Sequence, residues 1–240
     1  MQKIAKDEGF TVFIPFSETY LLDQWGVDTV QVIINDGREI SNSQRRKIFA
    51  LISDITDWVK APGNNKRTRA EKETLHEMGL LYMIECLPYT NYSDRDAIRK
   101  QLTMHYCQLV DIAPFSLSNI DVATATDFID WLVEMCVVHG IPCLDTLLNR
   151  CEDAGRYVYA CVAHRRCAIC GKKADIHEVE TVGMGNNRRT IHHLGQLVEP
   201  LCREHHAEVG NIGQAEFDAK YHLVGIRLDE NLCDILKWKK

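Results

Sequence analysis

The sequence predicts an α+β protein, with a small β element and a helical N-terminal domain followed by a C-terminal ββα domain that carries zinc. Three observations predict this fold. Short β-branched and aromatic runs near the start favour strands. Capped segments with helical periodicity then fill most of the chain to about residue 164. Residues 160–240 hold 7 of the 10 His and 5 of the 10 Cys, which indicates a metal site in the last third.

The composition indicates a soluble, folded protein. The 240 residues are 45% hydrophobic and 26% charged, which excludes a disordered chain. No apolar run approaches the ~18 residues that cross a bilayer, and the N-terminus lacks a signal-peptide segment, so we expect a cytoplasmic protein without a membrane partner. In that compartment thiols stay reduced, so cysteine pairs at metal-binding spacing indicate metal before disulfide.

The charge distribution suggests a domain boundary near residue 160. Residues 1–159 carry 16 basic and 23 acidic side chains, whereas residues 160–240 carry 12 and 11. No Pro/Gly/Ser-rich linker marks the change, so we expect domains 1–159 and 160–240 to lie close together.

The first of these domains is predicted to contain two strands and five helical segments. The strands span residues 11–16 and 29–34. A capping box of Ser41 and Gln44 opens the first helix, which ends at Pro62-Gly63 and buries Ile48, Leu51, Ile52, Ile55 and Val59. The remaining helices are predicted at residues 68–87, 93–110, 121–139 and 144–164, the last with a possible break near Gly155.

Two residue pairs predict a closed zinc site in the second domain. Cys167 and Cys170 form a Cys-x-x-Cys knuckle that ends in Gly171. Cys202 and His205 have the same spacing at the start of a predicted helix, where positions i and i+3 share a face. Four ligands leave no position for water, so the zinc is expected to be structural.

The segments between and after these pairs predict a strand, a loop, a second strand and a helix. The first strand carries Asp175, His177 and Glu178, and the helix carries His206. Strand periodicity places Asp175 and His177 on one face. This order is a ββα unit with one histidine on its first strand and another on its helix.

Three motifs in this unit resemble the HNH nuclease family of phages. They are Ala174-Asp175-Ile176-His177, then Gly183-Met184-Gly185, then Leu201-Cys202-Arg203-Glu204-His205-His206, and the resemblance covers residues 167–213. It implies a one-metal phosphodiesterase that uses Mg²⁺, Mn²⁺ or another divalent ion. Hydrolysis of a phosphodiester needs a base for water and a cation for the scissile phosphate.

The resemblance assigns His177 and His206 as ligands of the catalytic ion and the position of Glu178 as the base. Two positions depart from the family pattern, because Glu178 and Gly210 stand where histidine is usual. A carboxylate with an ordinary pKa is a weaker base than imidazole at neutral pH. Independently, the shared strand face makes Asp175 an alternative metal ligand, with His177 then free to act as base.

A second resemblance concerns the N-terminal domain. Residues 41–48 and the helical body to about residue 155 are similar to the phage Orf (NinB) recombination mediators. This implies single-stranded or branched DNA as a partner, together with single-strand-binding protein and a homodimer, in the host cytoplasm if the gene is carried by a phage or prophage. Basic side chains are the candidate phosphate contacts, namely Arg45, Arg46, Lys47, Arg188 and Arg189.

Three functions are therefore considered. The first is a phage-type DNA recombination protein with a metal-dependent HNH endonuclease domain. The second is a recombination mediator that binds single-stranded DNA or single-strand-binding protein, with the HNH unit serving as a zinc-stabilised DNA-binding scaffold. The third is a zinc-stabilised structural or protein-interaction module. No phosphate-cradling Gly-rich motif and no nucleophile elbow indicates another enzyme chemistry.

Overall fold

A computed structural model describes residues 3–6, 9–12, 38–61, 68–80, 94–179 and 192–239. The chain divides into two compact units, Met1–Ile34 and Asn35–Lys240. In the first, β1 (Lys3–Lys6) pairs antiparallel with β2 (Gly9–Val12), with Lys3 opposite Val12. The predicted strand at 11–16 overlaps the end of β2. Its remainder and the predicted strand at 29–34 lie outside the described residues.

The second unit is α+β and mostly helical. Its helices are α1 (Asn42–Lys60), α2 (Arg69–Glu77), α3 (Asp94–Leu109), α4 (Val122–His139), α5 (Leu147–Arg150), α6 (Ala154–Ala163), α7 (Arg203–Ile212), α8 (Gln214–Tyr221) and α9 (Glu230–Leu236). Its strands are β3 (Asp175–Glu178), β4 (Leu197–Leu201) and β5 (Ile226–Arg227). The sequence also predicts a strand at residues 223–228, of which the structure forms only β5, and it does not predict α9. None of the helices in these described segments is long and apolar enough to cross a membrane.

Helix α1 begins at the predicted capping box. The Ser41 side chain accepts a bond from the Gln44 N–H at 3.1 Å, and Gln44 Oε1 accepts one from the Ser41 N–H at 3.1 Å. The five apolar residues predicted for its inner face are all at most 2% exposed. That face packs against α3 and α4, where Phe128, Ile129 and Leu132 are fully buried. The helical period of the sequence therefore identifies the inner face of α1.

Helix α2 ends earlier than the predicted range of 68–87. It stops at Glu77, and Gly79 adopts a left-handed φ of 68°. The Leu80 N–H then bonds back to the Leu75 carbonyl at 2.7 Å, as in a Schellman ending. A Cβ at Gly79 would lie 2.9 Å from His105 Cγ. Both the left-handed φ and this close contact therefore favour glycine at the turn. Residues 81–87 lie outside the described part.

The predicted helical segment 144–164 is broken into α5 and α6 just before Gly155. The buried carboxylate of Asp130 on α4 accepts bonds from the backbone N–H groups of Glu152 at 2.9 Å and Asp153 at 3.2 Å. Asp153 then caps α6 through the Arg156 N–H. The break is thus fixed by side chains that satisfy the backbone groups at the helix ends.

The small sheet has the order β3-β4-β5 and is antiparallel throughout. Asp175 pairs with Leu201 and His177 with Glu199, and β4 pairs on its other side with β5, with Val198 opposite Ile226. Helix α6 packs against β4, β5 and α9, so one hydrophobic core runs from Ile40 to Leu236. In the described part of this unit, residue 160 does not separate two cores. As a division of function, the boundary there stays a prediction.

Candidate metal centre

The first feature of the site is a turn that contains Cys167 and Cys170 and lies where the core meets the surface. The Gly171 N–H bonds to the Cys167 carbonyl at 2.8 Å, and Gly171 adopts a φ of 68°. The turn is anchored below, because Ala168 donates its N–H to the Pro200 carbonyl and accepts from the Tyr157 hydroxyl. The knuckle is therefore fixed against β4 and α6.

Helix α7 supplies the other half of the cluster. Cys202 is its N-cap residue, and His205 lies on the first turn. Their atoms Sγ and Nδ1 are 3.2 Å apart. Across the cluster, Cys167 Sγ lies 3.4 Å from His205 Nδ1, and Cys170 Sγ lies 3.7 Å from Cys202 Sγ. The four predicted ligands converge, with all their donor atoms within 4.8 Å of one another.

These separations match the edges of a coordination tetrahedron. With zinc–sulfur bonds of about 2.3 Å and zinc–nitrogen bonds of about 2.0 Å, two sulfurs lie about 3.8 Å apart, and sulfur and nitrogen about 3.5 Å. The measured distances of 3.7 Å and of 3.2 and 3.4 Å are close to both values. The Cys3His cluster can therefore hold a metal ion such as zinc.

The protonation chemistry of the cluster also favours a cation. Burial raises the pKa of the Cys170 thiol to about 12, and the neighbouring Cys167 and Cys202 add to the rise. Burial also opposes ionisation of Cys202, but the backbone N–H of His205 and the two neighbouring thiols outweigh it and hold that pKa below its usual value. Burial lowers the pKa of His205, which favours the neutral imidazole that binds metals. A shared cation would stabilise the crowded thiolates.

The second feature is a pair of histidines beside this cluster. His177 on β3 and His206 on α7 face each other, with Nδ1 of the first 3.0 Å from Nε2 of the second. Their rings are perpendicular, at 89°, with centroids 4.7 Å apart. Two nitrogens each about 2.1 Å from one ion and at right angles about it are about 3.0 Å apart. The 3.0 Å separation is that of a hydrogen bond between the two rings, and it also fits two ligands of one divalent ion.

The other two carboxylates that the sequence singles out lie elsewhere. Glu178 follows His177 on the strand and so faces the opposite side, where its Oε1 lies 3.9 Å from His193 Nδ1. His193 Nδ1 in turn is 3.0 Å from Gln196 Oε1, and the His193 ring contacts the Trp238 ring at a tilt of 39°. Asp175 is exposed, and its side chain forms no hydrogen bond with another described residue. Neither is bonded to the histidine pair.

A polar network behind His177 was missed in the sequence. Nε2 of His177 lies 2.9 Å from Oε1 of Gln214, the first residue of α8. The Gln214 amide nitrogen donates to Glu199 Oε2 at 2.9 Å and to Asp218 Oδ1 at 2.6 Å. Burial raises the pKa of the Glu199 carboxyl to about 7 despite the bond from Gln214, and nearby Asp218 raises it further. The available signal was an acid at the centre of the apolar strand Leu197–Leu201.

The candidate DNA contacts have different surroundings. Arg45 donates to the carbonyls of Leu117 and Ser118, and Lys47 forms a 2.7 Å ion pair with Glu152. Arg46 is exposed on α1. Arg188 and Arg189 lie outside the described residues, as does the Gly183-Met184-Gly185 loop. Intramolecular contacts therefore account for Arg45 and Lys47 without DNA.

Two strands and a helix thus present together a Cys3His cluster that could hold a metal ion and, beside it, a histidine pair. Comparison with protein-family models matches residues 79–239 to the family described as "Putative HNHc nuclease". The match covers about two thirds of the chain, so the protein belongs to this HNH nuclease family. Neither the curated proteins nor the solved structures contain a match to the chain.

Proposed function

We propose that the protein is a metal-dependent HNH endonuclease that hydrolyses DNA phosphodiester bonds through a ββα-metal unit. The observation that carries the proposal is the His177–His206 pair, held at a spacing that fits one divalent ion in a chain of an HNH nuclease family. A nuclease domain of this class implies DNA as the substrate. The Cys3His cluster would hold a structural zinc that fixes α7, and hence His206, against the sheet.

His177 and His206 would hold Mg²⁺, Mn²⁺ or another divalent ion. When bound, such an ion neutralises the scissile phosphate and stabilises the leaving 3′-oxygen. The facing ring nitrogens favour His177 as a ligand over its alternative role as base, and the exposed position of Asp175 gives that alternative no support. His206 lies one helical turn after the cluster residue Cys202 and is the second ligand of the divalent ion.

The resemblance gives the position of Glu178 the role of base, but the Glu178 side chain faces away from the histidine pair, so the geometry does not support that role. In hydrolysis the water oxygen forms a bond to phosphorus, the bond to the 3′-oxygen breaks, and that oxygen takes up a proton. Glu178 is partly exposed and adjacent to His177 in the chain. His193, 3.9 Å from its carboxylate, is placed to interact with it when protonated.

The biological process that this activity serves is proposed from the resemblance of residues 41–155 to recombination mediators. It would be phage-type DNA recombination, on single-stranded or branched DNA, with single-strand-binding protein as a partner and a homodimer as the assembly. Of the α1 basic residues, exposed Arg46 is the one available for a phosphate contact. Arg188 and Arg189 remain candidate contacts on the loop between the strands of the HNH unit.

The test is cleavage of labelled single-stranded, duplex and branched DNA with Mg²⁺, Mn²⁺, Ni²⁺ or no added metal. The wild type is compared with His177→Ala and His206→Ala, and with His76→Ala on the exposed side of α2 as the matched control. Metal-dependent cutting that survives only in the wild type and the control supports the proposal. Binding of DNA without cutting under every metal would instead select the mediator that uses the unit as a scaffold.

A further inference from the structure

The side chain of Gln214 lies between His177 and two carboxylates. Its oxygen Oε1 is 2.9 Å from His177 Nε2, and its nitrogen Nε2 is 2.9 Å from Glu199 Oε2 and 2.6 Å from Asp218 Oδ1. These three partners come from three elements, because β3 carries His177, β4 carries Glu199 and α8 carries Asp218. Glu199 also pairs directly with His177 across the sheet.

This arrangement determines which way the Gln214 amide points. Its NH2 group has two donor hydrogens, and two carboxylate oxygens are in place to accept them. Rotating the amide by 180° would put its oxygen against those oxygens, a contact that is repulsive when both carboxyls are ionised, as they are above the pKa of about 7 that Glu199 has. Oε1 therefore faces His177, and because a carbonyl oxygen only accepts, Nε2 of His177 must carry the hydrogen.

The tautomer of His177 follows directly. A neutral imidazole with its hydrogen on Nε2 has its lone pair on Nδ1, which is the atom that faces His206 at 3.0 Å. We propose that Gln214, held by Glu199 and Asp218, is a positioning residue that fixes His177 as a metal ligand through Nδ1. The proposal deepens the assignment of His177 and His206 to a divalent ion and rests on that proposed function.

The burial of Glu199 gives the network a rigidity that a solvated glutamine would lack. Glu199 is 1% exposed, and its Oε1 is buried without a hydrogen-bond partner in the described part of the chain. A buried carboxyl with an unsatisfied oxygen costs folding free energy, so packing alone gives no reason for it at this position. Holding the amide of Gln214, which in turn holds a metal ligand, provides one.

The experiment uses the full chain labelled with ¹⁵N-histidine and observed by long-range ¹H–¹⁵N NMR above the usual pKa of histidine. His177→Gln identifies the His177 signals by their loss. The wild type is expected to show the tautomer with hydrogen on Nε2. Gln214→Met keeps the volume but removes both hydrogen-bonding atoms, and should leave a mixture of tautomers. Glu216→Gln, an exposed change on the same helix, is the matched control and should behave as the wild type.

The wild type, Gln214→Met and Glu216→Gln are then titrated with Mn²⁺, with unbound Mn²⁺ followed by electron paramagnetic resonance. Loss of an outer-shell partner of a ligating histidine typically weakens metal binding by about 10- to 100-fold, so this loss is expected for Gln214→Met alone. Hydrogen on Nδ1 in the wild type, or an unchanged tautomer and Mn²⁺ affinity in Gln214→Met, would overturn the proposal. Wild-type protein that binds Mn²⁺ but never cuts DNA would count against the nuclease and leave the positioning role intact.

Discussion

At the scale of single residues, Gly210 on α7 is a position with space for a larger side chain. It lies one helical turn after His206, and a Cβ built there has no described atom within 4 Å. A histidine can therefore be accommodated where the family usually has one. Gly210→His is expected to tighten Mn²⁺ binding by about tenfold, or roughly 1.4 kcal/mol, because it adds a third imidazole to the pair. Calorimetric titration measures the change.

The control for that substitution is Gly210→Ala. It should stabilise α7 by at most about 1 kcal/mol through helix propensity and leave the Mn²⁺ affinity unchanged. Equal affinities for Gly210→His and Gly210→Ala would show that the ion does not lie on this face of α7.

Glu199 provides a second test at this scale, through the pH dependence of stability. Its pKa is about 7 in the folded chain, against an ordinary value of 4.5. Between these values the folded state binds more protons than the unfolded state, so the free energy of unfolding falls as pH rises. Glu199→Gln keeps the acceptor for Gln214 and removes the titration. Its advantage over the wild type should grow from near zero at about pH 4.5 to at most about 3 kcal/mol at about pH 8.

Urea unfolding at several pH values measures this difference. Glu216→Gln, at an exposed site on α8, should show no such trend. The free energies of unfolding of wild type and Glu199→Gln could instead differ by the same amount at every pH in this range. That result would mean that ionisation of Glu199 does not destabilise the folded chain.

At the scale of elements, α1 and α5 are joined by the buried ion pair of Asp54 and Arg150. Asp54 is 4% exposed and Arg150 7%, and Asp54 also accepts from the Leu144 N–H at 3.3 Å. Among the described residues, Asp54→Ala would leave the buried guanidinium with only the more distant Asp145 carboxylate, 4.0 Å away. We expect a loss of about 3 to 5 kcal/mol in the free energy of unfolding, measured by urea denaturation. Asp57→Ala, on the exposed side of the same helix, should change the free energy of unfolding little. Equal losses in the two variants would show that the ion pair does not stabilise the fold.

The same scale shows how much of the fold the sequence predicts. Local signals suffice for α1, because Ser41, Gln44 and the apolar period lie in one stretch of chain. The Cys-x-x-Cys and Cys-x-x-His spacings likewise predict the metal cluster, since each half is local and only one pairing is chemically sensible. The end of helix α2 is mispredicted although its signal is local, because Gly79 adopts the left-handed φ that closes a helix C-terminus.

The network behind His177 is unpredictable for a different reason. Gln214 follows His177 by 37 residues, and Glu199 follows it by 22. Neither has a spacing motif, and their meeting depends on the register of β3 with β4 and on the start of α8. Side chains that act through tertiary contacts leave no period in the sequence.

At the scale of the whole molecule, the metal cluster lies beside the core of the helical body, because Cys167 and Cys202 pack in a small cluster of their own with Ala174 that meets the main core at Ile169. The knuckle is held by Tyr157 from α6 and by Pro200 from β4, and both elements belong to the continuous core. Removing the metal should therefore destabilise the whole unit Asn35–Lys240. With free zinc about a thousandfold above its dissociation constant, the expected loss is about 4 kcal/mol.

Native mass spectrometry should find one zinc per chain, and thermal unfolding after chelation should occur at lower temperature in a single transition. Cys202→Ser should reproduce the effect of chelation, whereas Cys143→Ser, outside the cluster, should retain the metal. Full thermal stability of metal-free protein would remove the structural role of the cluster.

The central claim is that His177 and His206 hold the ion of a working nuclease. The most direct measurement is the rate of DNA cleavage at saturating Mn²⁺ for the wild type, His177→Ala, His206→Ala and His76→Ala, with zinc content checked in each. We predict cleavage by the wild type and His76→Ala, and a loss of at least about a hundredfold in the other two with zinc retained. Cleavage that persists in His177→Ala or His206→Ala would contradict the claim, as would a wild type that cuts no DNA under any metal.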